Sequence, residues 1–129
     1  MIVKSLNDVI GTDADVRGPG WNSRRLVLKG DGLGYSVTNT VIEAGAEMTL
    51  EYKNHFESCY CITGTGSIHD TATGQTHKIS PGTIYALNNN DHHTLKADKS
   101  EDMHLVCVFT PPLTGNEIHQ ADGSYAVDD

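Results

Sequence analysis

The chain is short of positive charge. Nine Lys and Arg face seventeen Asp and Glu, for a formal charge of −8. That deficit argues against nucleic acid or an anionic membrane as a partner, because both are bound by clustered cations. No apolar run reaches the length of a membrane span, and the first residues hold no apolar signal core. A cytoplasmic protein is the expectation. Cysteine is scarce and odd in number, at three. Cys59 and Cys61 lie two apart on what reads as one strand, where their Cβ atoms stand about 7 Å apart, too far for a disulfide. Reduced thiols in a reducing compartment fit that spacing. Internal repeats, linkers and low-complexity stretches are missing, and helical periodicity is almost absent. With 37% hydrophobic and 20% charged residues, the 129 residues suit one folded domain rather than a disordered chain.

What is present is a succession of short strand patterns cut by turn signals. Residues 1–10 predict a short strand followed by a turn or helical stub. Gly18-Pro19-Gly20 marks a turn. Strands are then expected over 24–29 and 35–43, and twice within 48–62 with a bend near Lys53-Asn54. Residues 67–71 and 75–79 read as a hairpin about Ala72-Thr73-Gly74. Further strands are expected over 83–87, 92–97 and 103–109, with 88–91 a loop. Many short strands at regular spacing argue for an all-β fold, a barrel or jelly roll.

The chain is organised around residues 51–66, which read as a strand ending in the turn Gly64-Thr65-Gly66. Alternation places His55, Glu57, Cys59 and Cys61 on one face, and Phe56, Ser58, Tyr60 and Ile62 on the other. A histidine and a carboxylate on one face of a strand can both point into a barrel and meet a metal or a substrate. Cys59 and Cys61 lack a second Cys/His pair and read as small buried hydrophobes. His69, His77, His92 and His104 carry no motif and read as surface.

His55-x-Glu57, Gly64-x-Gly66, Pro81-Gly82 and His93 resemble the two short motifs of the cupin superfamily, with Tyr85 where a histidine is expected. Tyr52-Lys53-Asn54-His55-Phe56-Glu57, Met103-His104-Leu105 running to Thr110-Pro111, Leu113-Thr114-Gly115-Asn116-Glu117 and Asp122-Gly123-Ser124-Tyr125 resemble one branch, the ectoine synthases. The resemblance runs over nearly the whole chain. It implies a single cupin-type β-barrel (a jelly roll, or double-stranded β-helix) over 1–129. It also implies a homodimer, a small-molecule substrate and an iron cofactor, Fe(II). The implied reaction is ring closure of N-γ-acetyl-L-2,4-diaminobutyrate to the compatible solute ectoine, with loss of water, under osmotic stress in a bacterial cytoplasm.

Glu57, Tyr85 and His93 match that family's iron ligands. Two oxygens and one imidazole nitrogen suit iron or zinc and lean away from copper(I). Pairing across the 88–91 loop would bring Tyr85 to His93. The metal-free alternative is a buried Tyr–Glu–His hydrogen-bond network. Trp21, Arg25, Thr40, Tyr52, His55, Leu87 and Phe109 match positions lining the family's substrate pocket, with Glu117 and His119 from the tail. Arg25 suits the substrate carboxylate. Tyr52, His55, Glu117 and His119 are the acid–base candidates. The polar tail, 113–129, is expected to lie over the barrel as a lid. Two rival readings are a non-catalytic small-ligand-binding cupin and a cupin dioxygenase.

Overall fold

The structure is a computed structural model describing residues 1–115, 117–118 and 123–125. Ten strands follow in order: β1 (Asp15–Gly18), β2 (Trp21–Val27), β3 (Ser36–Ile42), β4 (Glu47–Leu50), β5 (Phe56–Thr63), β6 (Gly66–Asp70), β7 (Thr76–Ile79), β8 (Ile84–Leu87), β9 (His93–Ala97) and β10 (Met103–Thr110). They form two antiparallel sheets. One has the order β1-β2-β3-β10-β5-β8, the other β4-β9-β6-β7. The sheets face each other and enclose the core between them.

The expected strands at 35–43, 67–71, 75–79, 83–87, 92–97 and 103–109 are present with shifted ends, and 48–62 does split, with bends at Lys53 and Asn54. The first ten residues form no strand, but the expected turn or helical stub is present as a 3₁₀ turn at Leu6–Asp8, its start tied by Asp8 accepting from the Ser5 amide. β1 was not expected. The second strand begins at Trp21 rather than 24, and Lys29 belongs to a 3₁₀ turn. Local propensity misses these because the strands are fixed by pairing: Gly18 lies opposite Trp21 and Asp15 opposite Arg24.

Pairing also revises one argument about the site. β8 pairs with β5, whereas β9 pairs with β4 and β6. The 88–91 loop therefore carries the chain from one sheet to the other and makes no hairpin. Asn90 stands at its apex with φ 51°, and its side chain donates to the carbonyls of Tyr52 and His55. Asparagine tolerates this left-handed backbone better than most residues. It thereby fixes the loop on which those two side chains sit.

Inward side chains of the larger sheet line up as rungs across the strands. One rung runs Ser23–Thr40–Leu105–Cys61. The next runs Arg25–Thr38–Cys107–Cys59–Tyr85, and the last Ser36–Phe109–Glu57–Leu87. Polarity grows toward the last two. The opposite end is closed by Ile42, Met103, Ile79 and Ala97, all buried. Each large apolar side chain removed from water there contributes about 1.5–3 kcal/mol. Gly64 makes that closure possible. Its φ is +83°, and a Cβ would strike the Asp102 carbonyl, so no other residue fits beside β10.

Candidate active site

A cavity opens inside the barrel between the two sheets. Trp21, Thr40 and Phe109 form its walls, Glu57, Tyr85 and Cys107 its polar side, and Tyr52 and Tyr125 sit beside them. The aromatic rings interlock. Tyr52 packs edge-on against Phe109 with centroids 5.2 Å apart and tilts against Tyr125 at 5.1 Å. His55 meets both Phe109 and Tyr125 edge-on, at 5.9 and 6.1 Å.

Glu57 is the chemical centre. Burial pushes its carboxyl up to about 7, against the offsetting effect of the Cys59 and Cys107 thiols beside it. Cys107 lies across from Cys59 in the ladder, and the two sulfurs are 3.3 Å apart. Burial pushes the hydroxyls of Tyr52 and Tyr85 well above the ordinary tyrosine value, so in the metal-free chain both are neutral donors. Burial likewise lowers His55 and His93, which favours neutral imidazoles at neutral pH. The Asp91 carbonyl lies 2.8 Å from His93 Nδ1 and can only accept, so Nδ1 carries the proton. Nε2 is then a bare lone pair, buried and without a hydrogen-bond partner among the described residues. His55 Nδ1 is also buried without a hydrogen-bond partner among the described residues.

The tail enters the site from the other side. Leu113 is fully buried; its amide donates to Ser36 Oγ and its carbonyl accepts from Lys29. Tyr125 is buried and belongs to the apolar core. The Glu117 carboxylate accepts from the amides of Thr114 and Gly115, at 2.6 and 2.8 Å. Burial raises this carboxyl, but the two amides outweigh it and hold it below the usual carboxylate value. Arg25 is buried at 1% exposure. It donates to Ser23 Oγ, to the Gly115 carbonyl at 3.0 Å and to the Glu117 carbonyl, and lies 3.5 Å from the Glu117 carboxylate. Its guanidinium also stacks 5.7 Å from the Tyr125 ring centre.

Of the residues singled out in the sequence, Trp21, Thr40, Tyr52, Glu57, Tyr85 and Phe109 line the main cavity. Leu87 and His93 line a second cavity, which Tyr85 separates from the first. Arg25 and Glu117 are engaged with one another at the tail, and His55 is buried against Phe109 and Tyr125. His119 lies outside the described residues. Ser23 and Cys107 line the cavity and had not been singled out. Cys107 was legible in the alternation Met103, Leu105, Cys107, Phe109, all of which face inward on β10. His77 and His92 are exposed as expected, whereas His69 and His104 are half-buried.

The donor set suits a metal of intermediate hardness. The carboxyl and the phenol border the main cavity and the unpartnered imidazole nitrogen belongs to the second, with Tyr85 bordering both. His93 Nε2 has no hydrogen-bond partner among the described residues, so it takes no part in a Tyr–Glu–His network here.

Comparison with known proteins supplies the family. The ectoine synthase family model matches residues 1–129. The L-ectoine synthase of Desulfosudis oleivorans is 54% identical over 97% of this chain and 96% of its own. That of Hyphomonas neptunium is 54% identical over 99% and 95%. Among solved structures, the ectoine synthase from P. lautus superposes with a TM-score of 0.84 at 48% identity, covering 89% of this chain and 81% of that one. The polyketide cyclase RemF from Streptomyces resistomycificus, at 14% identity, superposes with a TM-score of 0.70 and shares the fold alone.

Proposed function

The chain belongs to the ectoine synthase family, and on that premise we propose that it closes N-γ-acetyl-L-2,4-diaminobutyrate to ectoine with loss of water, using iron(II). The observation that carries this reading is an apolar, aromatic-walled cavity with a buried carboxyl and a phenol on one side. Glu57 and Tyr85 sit beneath a shell of Trp21, Tyr52, Phe109 and Tyr125.

The reaction asks an amine to attack an unactivated amide carbonyl within one molecule. Three difficulties stand in its way: folding the substrate on itself, stabilising charge on the amide oxygen, and losing water. The cavity answers the first. A curled substrate held between Trp21 and Phe109 is in near-attack geometry, and intramolecular placement of this kind is worth up to about 7–11 kcal/mol. Glu57, Tyr85 and His93 are the residues that would hold iron, and the bound ion supplies a Lewis acid for the amide oxygen. Neutral Tyr52 is a hydrogen-bond donor at the wall. Neutral His55 offers an unpartnered ring nitrogen to take a proton from the substrate ammonium, freeing the amine that attacks. Tyr125 and the tail keep bulk water from opposing the dehydration. The Glu117 carboxylate, holding two amides and facing Arg25, serves this closure. His119 remains a candidate for the second proton transfer.

A homodimer accompanies this reading. Phe56, Tyr60, Ile62, Ile84 and Val108 are exposed on the outer face of adjoining β8, β5 and β10, an apolar area a second copy would cover. A bacterial cytoplasm making a compatible solute is the proposed setting; among the described residues no helix is long and apolar enough to cross a membrane.

The test is direct. Iron(II)-loaded protein is incubated anaerobically with the acetylated diamino acid, and the products are weighed by mass spectrometry. Formation of a species lighter by one water supports the cyclase. Binding without conversion would leave a ligand-binding cupin, and conversion only with O₂ a dioxygenase.

A further inference from the structure

Two of the three cysteines stand where the proposed reaction gives them no role. Cys59 and Cys107 are opposed across β5 and β10, and Tyr85 is opposed to Cys59 across β5 and β8. Glu57 is one inward step along β5 from Cys59, on the same face. The Glu57 carboxylate and both sulfurs lie within 4.8 Å of one another, all buried. The third cysteine is not part of this group: the Cys61 thiol is turned toward the carbonyls of Thr63 and Gly64. Three buried donors converging on one point is the arrangement of a metal site, and two of them are soft sulfur.

We propose that Glu57, Cys59 and Cys107, with the Tyr85 hydroxyl as a fourth donor, form a second metal position at the cavity floor that captures thiophilic divalent ions such as zinc and cadmium. It overlaps the iron position through Glu57 and Tyr85, so the two are occupied in the alternative.

The geometry needs little adjustment. Zinc–sulfur bonds of about 2.3 Å at a tetrahedral angle put two sulfurs about 3.8 Å apart, against 3.3 Å here. Small side-chain rotations of two cysteines that form no disulfide supply the difference. The position is reachable, since Cys107, Glu57 and Tyr85 all border the main cavity. Binding is balanced by release of the two thiol protons to solvent as both sulfurs become thiolates. The S₂O₂ set favours zinc and cadmium, whereas the set containing His93 has no sulfur and suits iron(II). The same buried floor would thus make the enzyme sensitive to which metal reaches it first. Only the claim of alternative occupancy rests on the iron assignment above; the thiolate position stands on its own geometry.

The experiment titrates cadmium(II), then zinc(II), into the metal-free full chain kept reduced with a phosphine. Thiolate-to-cadmium charge transfer in the ultraviolet is recorded. Wild type is expected to develop the band to one equivalent per chain, and zinc in large excess to diminish it. His93→Ala is expected to keep the band. Cys107→Ser is expected to lose at least half of it while still taking up iron(II), with circular dichroism checking the fold. Cys107→Ala replaces that variant should the serine fail to fold. No band in wild type, an undiminished band in the folded Cys107 variant, or loss of the band in His93→Ala would each overturn the proposal. Iron(II) loaded beforehand should delay the band. A full band with iron still bound would instead refute the placement of iron on Glu57 and leave the thiolate position standing.

Discussion

Arg25 is the residue whose replacement separates closure of the tail from integrity of the barrel. In the folded chain its guanidinium is buried and satisfied mainly by the tail: the carbonyls of Gly115 and Glu117, and the Glu117 carboxylate. Opening the tail rehydrates those acceptors at little cost. It also takes from the cation two carbonyls, a carboxylate and the Tyr125 ring face, leaving it Ser23 Oγ and water. Breaking a buried pair so that one charge is left uncompensated costs about 3–5 kcal/mol. Arg25→Ala removes the cation, so the open tail no longer carries that cost. At about 1.4 kcal/mol per tenfold, the closed-to-open ratio should fall by up to roughly 10²–10⁴.

The readout is amide hydrogen exchange at Leu113, Thr114 and Gly115, whose N–H groups donate to Ser36 Oγ and the Glu117 carboxylate. Their protection should drop by that factor in Arg25→Ala while β10 and β5 stay protected. Arg25→Lys should fall between, since one ammonium cannot bridge two carbonyls and a carboxylate in a fixed fork. Iron content should be unchanged and turnover much reduced. Unaltered protection at these three amides would refute the latch. An equal loss across β5 and β10 would show that Arg25 holds up the barrel rather than the tail.

Other expectations follow from the same geometry. Ala at Glu57, Tyr85 or His93 should lower bound iron together with activity, by elemental analysis and product assay; full occupancy in all three would remove the ligand assignment. In the metal-free chain, burial raises Glu57 from 4.5 to about 7, so the folded state holds a proton that the unfolded state has released. Stability should therefore fall as pH climbs from about 4.5 through 7, by about 3 kcal/mol at roughly 1.36 kcal/mol per pH unit; denaturant midpoints at pH 5 and 8 measure this, and Glu57→Gln should flatten the trend. Asn90→Ala gives up two hydrogen bonds to the Tyr52–His55 loop and should cost about 1–3 kcal/mol and raise KM, with no change predicted for Asn90 only if that loop is held some other way. Cutting the chain after Pro112 removes Leu113 and Tyr125 from the core. It should lower Tm as well as slowing turnover by roughly 10²–10⁴, and near-normal turnover would dismiss the lid.

Much of the barrel was legible because alternation on a strand is a strong signal. The inward set Glu57, Cys59, Cys61 and the inward set Met103, Leu105, Cys107, Phe109 can both be read from the chain alone. What could not be read is which strand lies beside which. Tyr85 and His93 look like hairpin partners by their separation, yet they belong to different sheets. The tail was hidden for a different reason. Leu113 and Tyr125 are twelve positions apart in a polar stretch without periodicity, so nothing local marks them as core. The contacts of Arg25 with Gly115 and Glu117 likewise have no local mark in the sequence.

The ladder explains why chemistry and packing meet on the same residues. A rung is set by register: Ile42 lies opposite both Trp21 and Met103, and between β3 and β10 that register runs unbroken to Ser36 and Phe109, while β5 joins β10 past an irregularity at His104–Leu105. A one-residue slip there would turn every inward group outward. Register thus places Arg25, Thr38, Cys107, Cys59 and Tyr85 abreast and Glu57 one step beyond. Those polar rungs would weaken an isolated barrel, since buried Ser, Thr, Glu and Arg add desolvation cost and little hydrophobic gain. The tail offsets part of this by bringing Leu113 and Tyr125 as apolar cover and two carbonyls for Arg25. Closing the site and completing the core are therefore one event. A chain that binds its substrate and shuts the tail should gain thermal stability beyond what the ligand's own contacts supply, and the gain should shrink in Arg25→Ala.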